Sequence, residues 1–298
     1  MPECDVLSFG DYFCDIIITG LSEIPRLGAD IFGEAMEITP GGAYNMATAL
    51  HRLGVKVRWA PRMGNDLFSQ FVLQNAEREG LDTSLFQIYD MPLRSLSVSF
   101  SFSHDRGFIS HTDTLPPVPY ETLIQSQQPR WVVDIPFCGS LEYLNLVDFV
   151  HKQGGRVFTD CQYVTTTLDE SGLMDMLQRI DIFAPNESEA CHLTGETDPV
   201  KAAKYLAEYC PLVVIKCSTQ GAYACSGGKL WHSPALPVDA VDSTGAGDSF
   251  NAGYLAATLL GKPIETCLRY GNICGGLSVT QCGGTRAAPT LDQLKEYL

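Results

Sequence analysis

Asp242-Ser243-Thr244-Gly245-Ala246-Gly247-Asp248-Ser249-Phe250-Asn251-Ala252-Gly253 joins a run of small residues to a helix. An alternating apolar run, Leu236, Val238 and Ala240, precedes it, and Asp248 to Leu260 reads as a helix that stops at Gly261-Lys262-Pro263. A small-residue loop thus enters a helix N-terminus, where unpaired N–H groups and the positive end of the helix dipole favour an anion. Glycine lets a phosphate approach the backbone closely. Alone, such a loop would be a tight turn with Thr244 or Asp248 as the helix cap. The carboxylate of Asp248 in the first turn adds chemistry. It is placed to take a proton from an attacking hydroxyl while the N–H groups of Gly245, Ala246 and Gly247 stabilise a transferring phosphoryl group.

Short apolar runs alternate with helical patterns around this loop, the signature of βαβ units and a mainly parallel sheet. Core strands are expected at Val6 to Phe9, Val55 to Ala60, Trp131 to Ile135, Arg156 to Thr159, Ile180 to Ala184 and Leu212 to Cys217. Helices are expected at Ala43 to Leu53, Leu67 to Glu79 and Leu141 to Gln153, each followed by a glycine suited to the left-handed stop. Two stretches break the rhythm. Residues 12–39 hold Ile16 to Ile18 and Ile31 to Ile38 around a Pro25 and Gly28 loop. Residues 93–112 read as a hairpin: Val98, Phe100 and Phe102 alternate with Ser97, Ser99, Ser101 and Ser103, the turn falls at His104 to Gly107, and Phe108 to His111 return. Together they suggest a small separate sheet, a lid on a main domain formed by residues 1–11, 40–92 and 113–298.

A chain of 298 residues can bury a sizeable core unaided. Twenty Lys and Arg against 35 Asp and Glu leave a formal charge of −15, which argues against nucleic acid or an anionic membrane as the main partner. No basic-then-apolar leader is visible at the start, and no apolar run reaches the ~18 residues of a membrane span. The 11 cysteines are odd in number and hold no Cys-x-x-Cys pair, so they read as small buried hydrophobes of a reducing cytoplasm.

Other residues carry chemistry at the ends of expected strands. Asp11 and Asp15 follow the first one, where ligands of open α/β sheets bind. Gly41 and Gly42 open a helix with bare backbone, and Asn45 offers both a donor and an acceptor to a hydroxyl. Asn186 and Glu189 supply hard oxygen ligands suited to a hydrated Mg²⁺, or equally a helix cap. Lys216 ends the strand before Ser218 and Gly221 and can reach a phosphate, or stand as a surface lysine. The six histidines form no metal-spaced set. No Walker-type or Rossmann glycine motif is present.

These motifs, in this order, resemble the signature of the ribokinase-like (PfkB) carbohydrate kinases. The resemblance rests on Gly10 to Asp15, Gly41-Gly42-Ala43-Tyr44-Asn45-Met46-Ala47, Arg62-Met63-Gly64-Asn65-Asp66, Asn186-Glu187-Ser188-Glu189 and the Asp242 to Asp248 loop. It implies a three-layer α/β/α domain with a mainly parallel central sheet and a small antiparallel β lid. It also implies ATP-dependent phosphorylation of a hydroxymethyl group on a sugar or related polyol. In that resemblance Asp248 is the base, Asp15 binds substrate hydroxyls, and Glu189 holds Mg²⁺ through water. Ser218, Gly221 and Asn272 fall at nucleotide positions, and Asp242 and Thr244 resemble a K⁺ loop.

Two departures from the family pattern concern the nucleotide loop and the acceptor. Ser218 stands where the family usually has a glycine. Asp160-Cys161-Gln162-Tyr163-Val164 lacks the arginine that several sugar-acid kinases carry, and only Arg94 and Arg106 are lid candidates for a second phosphate. His104 and His111 also fall in the lid. A nucleoside kinase is the alternative, with Tyr12, Phe13, Phe100 and Phe102 as a slot for the base. A non-catalytic ligand-binding protein on the same fold is the alternative from another class. Lids of the family commonly pair two subunits, so a homodimer is expected, with the Val98 and Phe100 face toward the partner and the serine face toward solvent or substrate.

Overall fold

The computed structural model describes residues 4–101, 106–161 and 167–298. Its strands are β1 (Val6–Ser8), β2 (Tyr12–Thr19), β3 (Ala35–Gly42), β4 (Val57–Trp59), β5 (Arg62–Met63), β6 (Gln87–Ile88), β7 (Ser95–Ser101), β8 (Arg106–Thr112), β9 (Trp131–Val133), β10 (Arg156–Thr159), β11 (Ile182–Phe183), β12 (Val213–Lys216), β13 (Ala222–Ser226) and β14 (Lys229–Ser233). Its helices are α1 (Ala43–Arg52), α2 (Leu67–Glu79), α3 (Tyr120–Gln127), α4 (Leu141–Lys152), α5 (Leu173–Arg179), α6 (Glu187–Thr194), α7 (Pro199–Leu206), α8 (Ala246–Leu259), α9 (Ile264–Ser278) and α10 (Leu291–Lys295).

The main sheet has the order β14-β13-β12-β11-β10-β9-β1-β4. Every pairing from β4 to β12 is parallel, and β13 and β14 close the far edge antiparallel. Alternate residues feed two cores. Val6, Val133 and Val214 join α1, α2, α8 and α9 on one face. Leu7, Val132, Val213 and Ile215 join α3 to α7 on the other. This is the expected three-layer arrangement. Strand order reverses at β1, which lies between β4 and β9. The crevice for a ligand therefore opens past the C-terminal ends of β1 and its neighbours.

The second sheet has the order β3-β2-β7-β8. Its outer pairings are antiparallel, as a hairpin reading requires, but the central β2·β7 pair is parallel. Strand β3 begins at Ala35 rather than near Ile31 and runs through Gly42 straight into α1. Phe32, within the expected strand, is 83% exposed in the loop before it. Pro40 is tolerated because β3 is an edge strand. Phe102 and the first residues of the hairpin turn, including His104, lie outside the described residues.

The Arg62 to Asp66 motif fastens this sheet to the main domain. Asp66 caps α2 through the Phe68 and Ser69 amides and also accepts from Leu93 N at 3.0 Å. Tyr12 lies buried beneath, its hydroxyl donating to the Leu93 carbonyl at 2.6 Å and meeting Ser69 Oγ at 2.8 Å. Eight of the eleven cysteines are buried, as small core residues should be.

Candidate active site

The C-terminal ends of the parallel strands carry the site. Past β1 come Gly10 and Asp11, past β9 Asp134, past β10 Asp160, past β11 Asn186, and β12 ends on Lys216. Helix α8 points its N-terminus at this row. Gly245 caps it in the left-handed conformation (φ 69°), and no side chain caps the exposed amides. A β-carbon on Gly245 would lie 2.6 Å from the Gly284 carbonyl oxygen, so bare backbone is required there. Asp242 knits the loop below: it accepts from Thr244 N (3.0 Å), Thr244 Oγ1 (2.8 Å) and Gly283 N (2.9 Å).

Asp248 stands in the first turn of α8 and accepts from Asn45 Nδ2 at 3.1 Å. Burial, then the charges of Asp160 and Asp134, push its carboxyl up to about 7, against the pull of the Asn45 hydrogen bond and Lys216. Its side chain nonetheless remains partly exposed, as befits a group at the floor of a cleft. Asn45 is only 4% exposed, and its Oδ1 has no hydrogen-bond partner among the described residues. It thus presents one satisfied donor and one waiting acceptor.

The second sheet adds the other wall. Cross-strand register places Thr39, Asp15, Ser97 and Ser110 in one row on one face. Gly41 leaves room for the Asp15 carboxylate, and a β-carbon on Gly283 would touch Thr39 Cγ2 at 2.9 Å. Thr39 Oγ1, like Asn45 Oδ1, is buried without a partner. Burial, with the charge of Asp242 nearby, raises Asp15 to about 6. The serine face is therefore turned inward: Ser95, Ser97 and Ser99 are buried, and solvent is not what they meet.

Two cavities flank the end of β12. One, of about 240 Å³, is largely apolar and includes Leu236, Val238, Phe250 and Asn272. The other, of about 540 Å³, is lined by Asp160, Asn186, Glu189 and the Gly245 to Asp248 loop. Lys216, Ser218, Ser243, Ala246 and Gly247 belong to both. The run Leu236, Val238 and Ala240 is thus cavity lining rather than a strand. Asn186 and Glu189 form a reciprocal capping box at α6, with Asn186 N donating to Glu189 Oε2 at 2.8 Å and Glu189 N donating to Asn186 Oδ1 at 2.9 Å. Capping and cavity lining coexist here. Asn272 donates to the Ser233 carbonyl at 2.8 Å, pinning β14 to α9 as well as lining the apolar cavity.

Several expected contacts are corrected. Asp11 is engaged within the protein rather than standing free at the strand end: both its carboxylate oxygens accept from the Arg62 guanidinium. Arg94 and His111 are both paired with Asp113. Of the four aromatic residues considered for a base slot, Tyr12 is in the core and Phe100 lies on the face opposite Asp15. Phe13 alone, among the described residues, shares the Asp15 face. Residues 162–166 lie outside the described residues.

Asp134 was not singled out by sequence pattern. It holds φ +61° immediately past β9, accepts from Ser8 Oγ, and burial raises its carboxyl to about 6. A β-carbon on Gly10 would press on it at 2.9 Å. Apolar runs reveal the strand before it but not the backbone reversal that follows.

Known proteins resemble this chain along nearly its whole length. The sequence matches the pfkB family carbohydrate kinases over residues 5–99 and 139–291. The chain belongs to that family of kinases. Ribokinase of Bacillus subtilis (strain 168) is 27% identical over 299 residues, covering 99% of each chain. Cytidine kinase of Thermococcus kodakarensis is 30% identical over 274 residues, covering 86% of this chain and 93% of the relative. The solved structure of Arabidopsis thaliana ribokinase complexed with ribose and ATP superposes with a TM-score of 0.83 at 21% identity, covering 99% of this chain and 98% of the other. Adenosine kinase from Sinorhizobium meliloti gives a TM-score of 0.80 at 20% identity, covering 99% and 100%.

Ser218 adopts φ +47°, the left-handed backbone that a glycine would take without strain. That conformation costs a non-glycine residue about 1 kcal/mol, partly offset by the chain entropy that glycine loses on folding. Ser218→Gly should leave stability unchanged or raise it by up to about 1 kcal/mol, while β-branched Ser218→Val should lower it by more than about 1 kcal/mol. Chemical denaturation of the three proteins measures both differences.

Proposed function

We propose that the protein transfers the γ-phosphoryl group of ATP to a hydroxymethyl group of a sugar or related polyol. The observation that carries this reading is Asp248, poised near neutrality at the open N-terminus of α8 and held by Asn45. The acceptor oxygen forms a bond to the γ-phosphorus while the bridging P–O bond of ATP breaks, its electron pair leaving with ADP. The hydroxyl proton passes to Asp248, and the amides of Gly245, Ala246 and Gly247 face the phosphoryl oxygens. Asp15, Thr39 Oγ1 and Asn45 Oδ1 supply acceptors for substrate hydroxyls. The apolar cavity suits an adenine. Asn186 and Glu189 border the polar cavity, where a hydrated Mg²⁺ would neutralise phosphate charge.

A nucleoside acceptor is the second reading. Phe13 beside Asp15 supports it, as does the 30% identity to a cytidine kinase. A panel of pentoses, hexoses, sugar acids and nucleosides, scored by acceptor-dependent ADP release, separates the two. No release with any member would leave a ligand-binding protein without catalysis.

Asp248→Asn should lower turnover by ~10²–10⁴ and remove the acidic limb of the rate profile, which in the wild type should fall away below about pH 7. Near-normal turnover in this variant would remove Asp248 as the base. The raised carboxyl also sets a sign for stability. Its favourable contribution is present below the unfolded pKa of ~4 and lost as pH rises through about 7. Asp248→Asn should therefore melt higher than wild type at pH 8, with the gap closing toward pH 5.

The outward face of the small sheet carries two apolar cross-strand rows, Ile38–Ile16–Val98–Ile109 and Met36–Ile18–Phe100. Met36 is 63% and Ile109 65% exposed. We infer that a second copy covers this face, making the sheet both lid and dimer contact. Ile109→Asp should convert a dimer to a monomer in light scattering at micromolar concentration. A wild-type monomer under the same conditions would refute the pairing.

A monovalent cation at Asp242 and Thr244 is part of the same reading. Turnover should be higher in K⁺ than in Na⁺ or a bulky organic cation, and equal rates would remove it.

A further inference from the structure

Lys216 ends a core strand, and its side chain is only 13% exposed. Its main chain is fixed beside the Asn186 motif, with Lys216 N donating to the Pro185 carbonyl at 3.1 Å. Its Nζ donates to Asp160 Oδ2 at 2.6 Å and to Asn251 Oδ1 at 3.4 Å. Asn251, 1% exposed, donates in turn to the same Asp160 oxygen at 2.5 Å. The three side chains form a closed ring.

A largely buried ion pair contributes little net stability, because desolvation of both charges offsets their attraction. The ring's placement suggests another role. Asn251 follows Gly247 by four residues on α8, so both face the same side of the helix. A β-carbon on Gly247 would lie 3.5 Å from Lys216 Nζ. Lys216 also borders both cavities, the apolar one and the polar one that holds Asp248. An ammonium has three hydrogens, and Asp160 and Asn251 engage two. The third is left for an oxygen over the glycine loop.

We propose that Lys216 is a catalytic cation for the γ-phosphoryl group, and that Asp160 and Asn251 are positioning residues that hold its ammonium over Gly247 before the nucleotide arrives. The assignment rests on the phosphotransfer reading above. Lysine suits the task as a compact point charge on a flexible stem, able to follow the phosphoryl group as it moves between oxygens. It takes no part in proton transfer: Asp248 takes the acceptor's proton, and the bridging bond's electron pair leaves with ADP. A cation fixed in advance stabilises the developing charge without reorganisation.

The test is a double-mutant cycle read by calorimetric titration with Mg²⁺-ATP and Mg²⁺-ADP. Lys216→Met should weaken ATP at least tenfold and ADP less than threefold, because only ATP carries the γ group. ADP binding serves as the folding control, and Lys216→Gln, with the same expectation, replaces any Met variant that fails it. In an Asp160→Asn background the effect of Lys216→Met on the ATP-to-ADP ratio should shrink below threefold, since an unanchored ammonium contributes less. Equal losses for the two nucleotides, or none, would overturn the catalytic assignment. An undiminished tenfold effect in the Asp160→Asn background would overturn the positioning role. Failure of the wild type to bind either nucleotide would instead overturn the phosphotransfer reading itself.

Discussion

Backbone packed directly on backbone organises this site. Gly245 abuts Gly284, and a β-carbon on Gly284 would fall 2.5 Å from Asn45 Oδ1. Three segments distant in sequence thereby meet around one side chain, Asn45: the start of α8, the 283–284 turn and the first turn of α1. Asn45 lies at their junction and directs its amide nitrogen toward Asp248. The same closeness strips water from Asp248 and raises its carboxyl. The basicity of Asp248 and the openness of the amide cradle thus share one cause, the absence of side chains at a few positions.

Charge is arranged around that junction with equal economy. Asp134, Asp160 and Asp248 lie close together, and Asp160 raises the proton affinity of both Asp134 and Asp248 while Asp134 raises that of Asp248. Such crowding is a stability cost at neutral pH, tolerated at functional sites where a fold can over-determine it. Lys216 is placed among them and draws the Asp248 carboxyl back down.

Much of the frame is legible in the amino-acid order. Leu67 to Glu79 is a helix and Arg156 to Thr159 a strand with the bounds that periodicity and glycine stops suggest. Other elements are harder to read for identifiable reasons. Ile31 and Phe32 carry the apolar content of a strand but sit in an exposed loop, because the register of β2 against β3 is set further on by the Gly41-Gly42 end. The β13–β14 hairpin does have a signal, the Gly227-Gly228 pair with both φ positive, and its edge position escapes the βαβ rhythm. In the site, Asp248 and its loop are local motifs and so are visible in the chain. Asp11 misleads, since a carboxylate at a strand end looks the same whether it meets a ligand or Arg62. Asp134 and the Asp160–Lys216–Asn251 ring arise from long-range placement, which no local pattern encodes.

The four-stranded sheet enters the chain as two insertions, one between β1 and α1 and the other between β6 and α3. Neither interrupts the hydrogen-bonded order of the eight main strands. The half of the site proposed to meet ATP is thus written into the load-carrying scaffold, while Phe13, Asp15 and Thr39 are written onto an attachment. Such a division lets acceptor preference drift without refolding the machine that moves phosphate. It makes this protein a natural chassis for grafting: strands exchanged as a unit at 12–42 and 95–112 would carry a foreign preference onto an unaltered motor.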